Sequence, residues 1–462
     1  MKISKYTTLA LIAAATTLSS CNKFLDTKPV TYVSDDNTIF DLASSQSALR
    51  GVYRQLASTG YYGENYVTLG YFPSGDVKNL TTGGGANLVT VNFRADDVAF
   101  NASWVAIYYT INRANNVITK VPALVGPNFT QAANDQVVGE AKFIRALAYF
   151  DIARAWGGAQ IILKPTTSID DLPNIKRSTL DQTYDQVLQD LDDAETLLPN
   201  TVNRIRATKR TVWALKARVY LYRKNWVKAE EYATKLIDAA DYELLKPFSS
   251  WFANEVTGTR ESIFELAYSA ANPSTIRQQM QHSTNGGTYR YAPTDKFVQL
   301  LNDTLVAGKR GSLIGKVTQA GTTLWFGNLY YRKNSTDPAY ILRIAEQYLI
   351  RAEARAHLDK LSDVDGALAD LNKVRSRAEL APSAAVTQEE ILLAIESERR
   401  FEFAWEAHRW FDLARTGRAK AVLEAIDPNI KVDSYENVFP IPITQIQLDP
   451  KNLDQNPGYV GK

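Results

Sequence analysis

The sequence predicts an all-α superhelix built from helix pairs, interrupted by long irregular loops that carry the ligand site. Three observations predict it. Apolar residues recur at spacings of three and four through most of residues 38–240, the stripe of amphipathic helices. Two stretches divide into short paired stripes with a small residue where the two would meet. Two further segments, 59–94 and 245–340, lose periodicity and fill with glycine, proline and aromatic residues.

Trp104, Ile107, Ile111, Ala114, Ile118 and Val121 form the first long stripe. Val137, Ala141, Ile144, Ala148 and Ile152 form the second, which ends at Gly157-Gly158 because glycine suits the left-handed backbone of a helix C-terminus. Val187, Leu191, Ala194 and Leu198 follow, stopped by Pro199. In the first helix pair, Val212, Leu215, Val219 and Tyr222 precede Lys224-Asn225, and Trp226, Ala229, Ala233 and Leu236 come after. The second pair runs through Leu342, Ala345, Leu349, Ala352 and Ala356, then Val364, Ala367, Leu371 and Val374. Ala229 and Ala367 permit close approach, and Tyr232 and Leu371 supply bulk one turn later. This is a TPR-like helix–turn–helix pattern, with its units separated along the chain rather than tandem. Trp104 and Trp226 lie on these stripes and read as core. The tail from residue 427 is proline-rich and nonperiodic, which predicts a wrap over the surface.

Composition removes several function classes. One cysteine in 462 residues excludes an internal disulfide and any CxxC zinc or redox motif. His282, His357 and His408 lie too far apart for a helical metal-binding pair, so no metal or cofactor is expected. Lys plus Arg at 52 against Asp plus Glu at 50 provides no basic field for nucleic acid. Gly311 to Lys316 suggests a phosphate-binding loop, but Arg310 stands where the first glycine belongs and Val317 replaces the hydroxyl residue that would hold Mg²⁺. The glycines at 83–85 have no lysine after them.

The N-terminus reads as a leader. Lys2 and Lys5 precede an apolar stretch from Leu9 to Leu18, too short to span a bilayer, and Leu18-Ser19-Ser20-Cys21 has the form of a bacterial lipobox. Residues 1–20 are expected to be removed and Cys21 lipidated, several acyl chains anchoring where one would not. Loss of Lys2 and Lys5 takes the formal charge from +2 to zero.

The densest cluster spans 398–415. On a continuous helix, Glu398, Glu402 and Glu406 would share one face at i, i+4 and i+8. Paired carboxylates perform glycoside hydrolysis, but they normally face each other across a cleft from different elements. Arg399, Arg400, Arg409 and Arg415 offer partners, and Asp412 adds an acid, so the cluster reads as a structural ion-pair network. The aromatic residues of the irregular segments have no stripe to join. Tyr61, Tyr62, Tyr66, Tyr71, Tyr289, Tyr291 and Trp325 are therefore the candidates for stacking on a ligand such as a sugar face.

Taken in order, the chain resembles the SusD/RagB outer-membrane nutrient-binding lipoproteins of Bacteroidetes. The likeness rests on Cys21 with Phe24-Leu25-Asp26, on Trp104 leading to Ala114-Asn115, and on Gly139-Glu140-Ala141-Lys142-Phe143-Ile144-Arg145-Ala146 with Trp156-Gly157-Gly158. It continues through Leu342-Arg343-Ile344-Ala345-Glu346, Arg351-Ala352-Glu353-Ala354, Glu402-Phe403-Ala404-Trp405-Glu406, His408 through Leu413, and Gln455-Asn456-Pro457-Gly458-Tyr459. The resemblance implies a SusD-like body over 21–462, with an N-terminal helical part at 21–245 and a C-terminal part at 246–462. It also implies a place at the cell surface on the outer membrane, and a SusC-like TonB-dependent β-barrel transporter as partner, over whose mouth the protein acts as a lid. Glycan is the implied ligand, held without catalysis, and 398–415 the implied structural signature. A peptide-binding member and an all-α glycosidase using Glu402 or Glu406 are the alternatives.

Overall fold

Most of the long helices start where a side chain satisfies backbone N–H groups that have no partner within the helix, the helix from Ile344 being an exception. The computed structural model describes residues 38–81, 85–124, 126, 129–167 and 174–459, so the leader, Cys21, Phe24 to Asp26, Gly83 and Gly84 lie outside the described residues. α1 (Leu42–Leu56) opens on Asp41, whose carboxylate accepts from the Ser44 N–H at 2.7 Å. The short α2 (Asn65–Tyr71) follows. Asp97 caps α3 (Val98–Lys120), and Thr130 caps α4 (Gln131–Trp156), which ends at Gly157 with φ +86°. A Thr179–Gln182 capping box opens α5 (Leu180–Leu197). From Asp41 onward the chain forms one unit.

The two helix pairs, distant along the chain, are neighbours in space. The first is α6 (Lys209–Tyr222) and α7 (Trp226–Ile237); the second is α8 (Ile344–His357) and α9 (Ala367–Arg377). α7 packs on α8, where Ala217, Ala229 and Ala233 share a buried cluster with Ile350 and Ala354. The order in space is α3, α4, α5, α6, α7, α8 and α9, with α10 (Gln388–Glu402) closing against α8 and α9. A second cluster of Leu349, Ala352, Leu371, Val374, Ile391 and Ile395 joins these last three. Buried arginines tie layers together as well. Arg145 of α4 donates to Asp190 of α5 at 2.6 Å, Arg218 of α6 to Glu346 of α8 at 2.6 Å, and Arg351 of α8 to Asp370 of α9 at 2.7 Å.

Five details depart from the sequence pattern. Leu342 is a strand residue, since α8 begins at Ile344, and Val364 lies in the turn before α9, exposed. Ile118 is only half-buried, Val117 taking the core position. Trp226 is also only half-buried, because its ring stacks on His357 at the helix edge rather than entering the core. The tail from 427 runs largely over the surface but also sends anchor residues into the interior. Phe439 is buried against Phe93, Phe100 and Trp410, and the Asn456 side-chain amide donates to the carbonyls of Trp156 and Phe439 at 3.0 and 2.7 Å.

Among the described residues of the irregular segments and their flanks the chain forms three two-stranded antiparallel ladders. β1 (Val77–Asn79) pairs with β3 (Tyr291–Pro293), which joins the two irregular segments. β2 (Ser262–Leu266) pairs with β6 (Ala339–Arg343), and every residue of both strands is buried. β4 (Ile314–Gln319) and β5 (Thr322–Gly327) form a hairpin whose first strand becomes progressively exposed.

Close packing of α7 on α8 depends on small side chains. Ala229→Leu is expected to cost ~1–3 kcal/mol in urea unfolding through overpacking. Val227→Leu, one turn-edge away and 63% exposed in the wild type, should leave the midpoint unchanged.

Candidate functional site

Four glutamates and three arginines, each side chain 2% exposed or less, meet beneath the irregular segments. Glu398 and Glu402 end α10 as the helical spacing predicts. Glu406 does not continue that helix. The chain leaves α10 at Phe403 and turns through Trp405 at φ +72°, held by the indole N–H donating to the Leu313 carbonyl at 2.8 Å. Glu406 thus rejoins the other two by a left-handed turn, a strained conformation for a bulky residue.

The partners also differ from those the local sequence offers. Arg343, at the end of β6, donates to Glu261 at 2.8 Å, to Glu402 at 3.0 Å and to Glu406 at 2.7 and 3.0 Å. Arg377, at the end of α9, donates to Glu261 at 2.7 and 2.8 Å and to Glu402. Arg310, in the 308–313 turn, donates to Glu402 at 3.0 and 2.9 Å and to Glu398. The arginines adjacent in sequence serve elsewhere. Arg399 and Arg415 hold Asp412 at 2.7 and 3.0 Å, Arg400 reaches Asp76 at 3.1 Å, and Arg409 lies 4.0 Å from Glu396. Arg409 therefore stands outside the glutamate cluster.

The cluster's electrostatics follow from its count. Burial opposes ionisation of Glu402, yet Arg377, Arg310 and Arg343 together hold its carboxyl below the usual range. For Glu261 burial wins and raises the carboxyl. Burial pushes Glu406 up to about 7, against the pull of Arg343 and with the help of Glu402 and Glu346. Neither Glu402 nor Glu406 faces an open cleft.

Four of the candidate tyrosines are interior. Tyr61, Tyr62, Tyr66 and Tyr71 are at most 3% exposed, so they present no ring face to a ligand in this structure. Tyr61 and Tyr62 donate to one Asp151 carboxylate oxygen at 2.6 and 2.8 Å, and Tyr66 donates to the Asp151 carbonyl at 3.0 Å. Arg154 completes the group, lying 4.3 Å over the Phe411 ring. Within the 59–94 segment Gly70 marks close packing rather than an open loop: a Cβ there would lie 2.7 Å from the Cα of Ala407. Tyr291 is also buried, its ring 4.2 Å from that of Phe72.

Tyr289 and Trp325 remain half-exposed and come together. The Tyr289 hydroxyl donates to the Trp325 carbonyl at 2.9 Å, and Tyr289 itself sits at φ +48°. Lys316 on the facing strand places its ammonium 5.3 Å from the indole centroid, and His282 meets the Tyr289 ring edge-on at 4.9 Å. Tyrosine, indole and cation therefore share one surface at the β4–β5 hairpin. Sequence reasoning missed Arg310, Arg343, Arg377 and Glu261 as a set; Arg343 alone carries a signal, a charge inside the apolar run Leu342-Arg343-Ile344, whereas the other three lie in polar stretches.

Two family profiles match the chain, one described as starch-binding associating with outer membrane, over residues 23–221, and one described as the SusD family, over residues 283–459. The chain belongs to the SusD/RagB family. A SusD-like protein of Formosa agariphila is 24% identical across 99% of this chain and 100% of its own length. The starch-binding protein SusD of Bacteroides thetaiotaomicron is 24% identical over 77% of this chain and 78% of its own. Among solved structures, a SusD superfamily protein from Bacteroides vulgatus superposes with TM-score 0.76 at 27% identity, covering 91% of this chain and 100% of that one. A laminarin-binding SusD-like protein superposes with TM-score 0.76 at 23% identity, again covering 91% and 100%.

The SusD-like core generates two predictions. Glu402→Gln leaves three guanidiniums short of a buried partner and should cost ~3–5 kcal/mol in chemical unfolding. His408, stacked on Phe403 at 4.5 Å, is held neutral well below its ordinary 6.5 by burial and by Arg218, Arg399, Arg154 and Arg343. Below 6.5 the unfolded chain gains a proton the native state refuses, so this residue's contribution is lost as pH falls. Glu406 acts in the opposite sense. The stability difference between wild type and His408→Gln should therefore shift against the wild type between about pH 7 and about pH 5, measured by urea unfolding at each pH.

Proposed function

We propose that this SusD-family protein is a cell-surface lipoprotein that binds oligosaccharide and delivers it to a partner TonB-dependent outer-membrane transporter, without catalysis. The observation that carries the carbohydrate reading is the half-exposed Tyr289–Trp325 pair with Lys316 beside it, on a family scaffold whose relatives include starch- and laminarin-binding proteins. A flat indole face suits the apolar face of a sugar ring, and the ammonium and phenol suit its hydroxyls. Enclosure of Glu402 and Glu406 by arginines supports binding rather than hydrolysis. Anchoring through Cys21 is supported by the lipobox, and among the described residues no helix is long and apolar enough to cross a membrane. We read the body as one module with parts at 21–245 and 246–462.

Isothermal titration with laminarin- and starch-derived oligosaccharides tests the site. Trp325→Ala is expected to weaken binding about tenfold, the worth of one aromatic contact at ~1.4 kcal/mol. Unchanged affinity in that variant would sink the assignment, and turnover of the glycan would end the binding-only reading. Cys21→Ala should move the protein from the membrane to the soluble fraction on cell lysis.

A further inference from the structure

A cavity of about 270 Å³ lies where the α6–α7 turn meets the end of α8, α10, and the helix Arg409–Arg415, here α11. It is far along the chain from the β4–β5 hairpin, and none of its lining residues belongs to the Tyr289–Trp325 surface. One wall is aromatic: Trp226 lies flat on His357, with centroids 4.0 Å apart and planes 12° from parallel. Leu392, Leu393 and Ile395 extend that wall with apolar surface.

The charges lining the cavity are unequally spent. Each of its three acids is already satisfied. Glu353 accepts from Arg415 at 2.6 and 2.7 Å, Asp412 from Arg399 at 2.7 Å, and Glu396 from Arg418 at 2.9 Å. On the basic side, Lys224 makes no ion pair among the described residues, and it is exposed on the turn at φ +55°. Arg399, only 4% exposed, keeps one guanidinium nitrogen without a hydrogen-bond partner. The ring nitrogens of His357 likewise make no hydrogen bond among the described residues, and burial, opposed by Glu353, holds the imidazole below its ordinary range. Unspent positive charge beside an apolar, aromatic wall selects a ligand with a nonpolar body and one negative charge. The volume is just below the ~300–1,000 Å³ of typical small-molecule pockets, which admits one ring and not a glycan chain.

We propose that this cavity is a second ligand site, for a small cyclic monocarboxylate whose ring lies against the Trp226–His357 stack and whose carboxylate meets Lys224 and Arg399. The site stands independently of the carbohydrate reading. Benzoate is the test probe and benzamide its uncharged counterpart, each titrated calorimetrically into the full mature chain. Benzoate should bind at one site per chain, with benzamide about tenfold weaker, equivalent to ~1.4 kcal/mol. Lys224→Met, at an exposed turn, should abolish that preference for charge, and Trp226→Ala should weaken both probes. His357→Gln gives a second route should the tryptophan variant lose its fold, and it too should weaken benzoate. Absence of saturable benzoate binding overturns the proposal, as does equal affinity for the two probes or an unchanged benzoate affinity in Lys224→Met. Binding of a tetraglutamate peptide with no response to benzoate also overturns it, assigning the cavity to a protein partner instead. Retention of benzoate affinity in excess laminarin oligosaccharide supports two separate sites, and its loss refutes them.

Discussion

A guanidinium withdrawn from water must be surrounded, and Arg343 is surrounded by three acids from two separate stretches of chain. Glu261, Glu402 and Glu406 accept its N–H groups, and Trp251 lies against it, 4.0 Å from ring centre to the guanidinium carbon. Each buried ion carries a desolvation cost of several kcal/mol, offset only when every partner arrives together. The cluster therefore selects one arrangement of β6, α9, α10 and the 308–313 turn over near alternatives that would leave a charge stranded. Its contribution is to geometry more than to net stability.

The same device recurs between helix layers. Arg145 with Asp190, Arg218 with Glu346, and Arg351 with Asp370 each bridge two helices that also meet through apolar side chains. Apolar faces of that kind can slide by a turn with little change in buried area. A bidentate guanidinium–carboxylate pair cannot, because its two parallel hydrogen bonds are lost together. Small residues permit the close approach; the arginines set the register. The half-exposed aromatic surface at the hairpin then rests on a scaffold with few ways to shift.

Most helices were legible in the sequence because a period of 3.6 leaves its trace wherever one face is buried. Legibility failed where burial came from several sides at once. The turn at Tyr61-Tyr62 and the helix α2 that follows it are both enclosed, so Tyr61, Tyr62 and Tyr66 carry no one-sided pattern although they form the ceiling over Asp151. The 427–459 tail shows no period, although Phe439 and Asn456 anchor it in the core through individual contacts. Glu406 appeared to continue a helix because spacing alone cannot report the left-handed turn at Trp405. Trp226 shows the reverse error: a stripe position that lies at the edge of its helix. Of seven aromatic candidates, only Tyr289 and Trp325 stay half-exposed, and nothing in their immediate neighbours separates them from Tyr291.

The β2–β6 ladder has a further meaning for how such a chain can diversify. Ser262 stands opposite Arg343, the Ile344 N–H donates to the Glu261 carbonyl at 3.0 Å, and the Arg343–Glu261 ion pair closes the same gap. The two ends of a long intervening segment are thus clasped at one point, directly beneath α8. For a loop whose ends are already joined, added length costs only as the logarithm of residue number, about 0.6 kcal/mol per doubling. Within that segment Arg310, the Leu313 carbonyl and β3 are committed to Glu402, Trp405 and β1. It is therefore the exposed tip of the β4–β5 hairpin, 318–323, whose content can be rewritten by insertion or exchange while the helix layers keep their register.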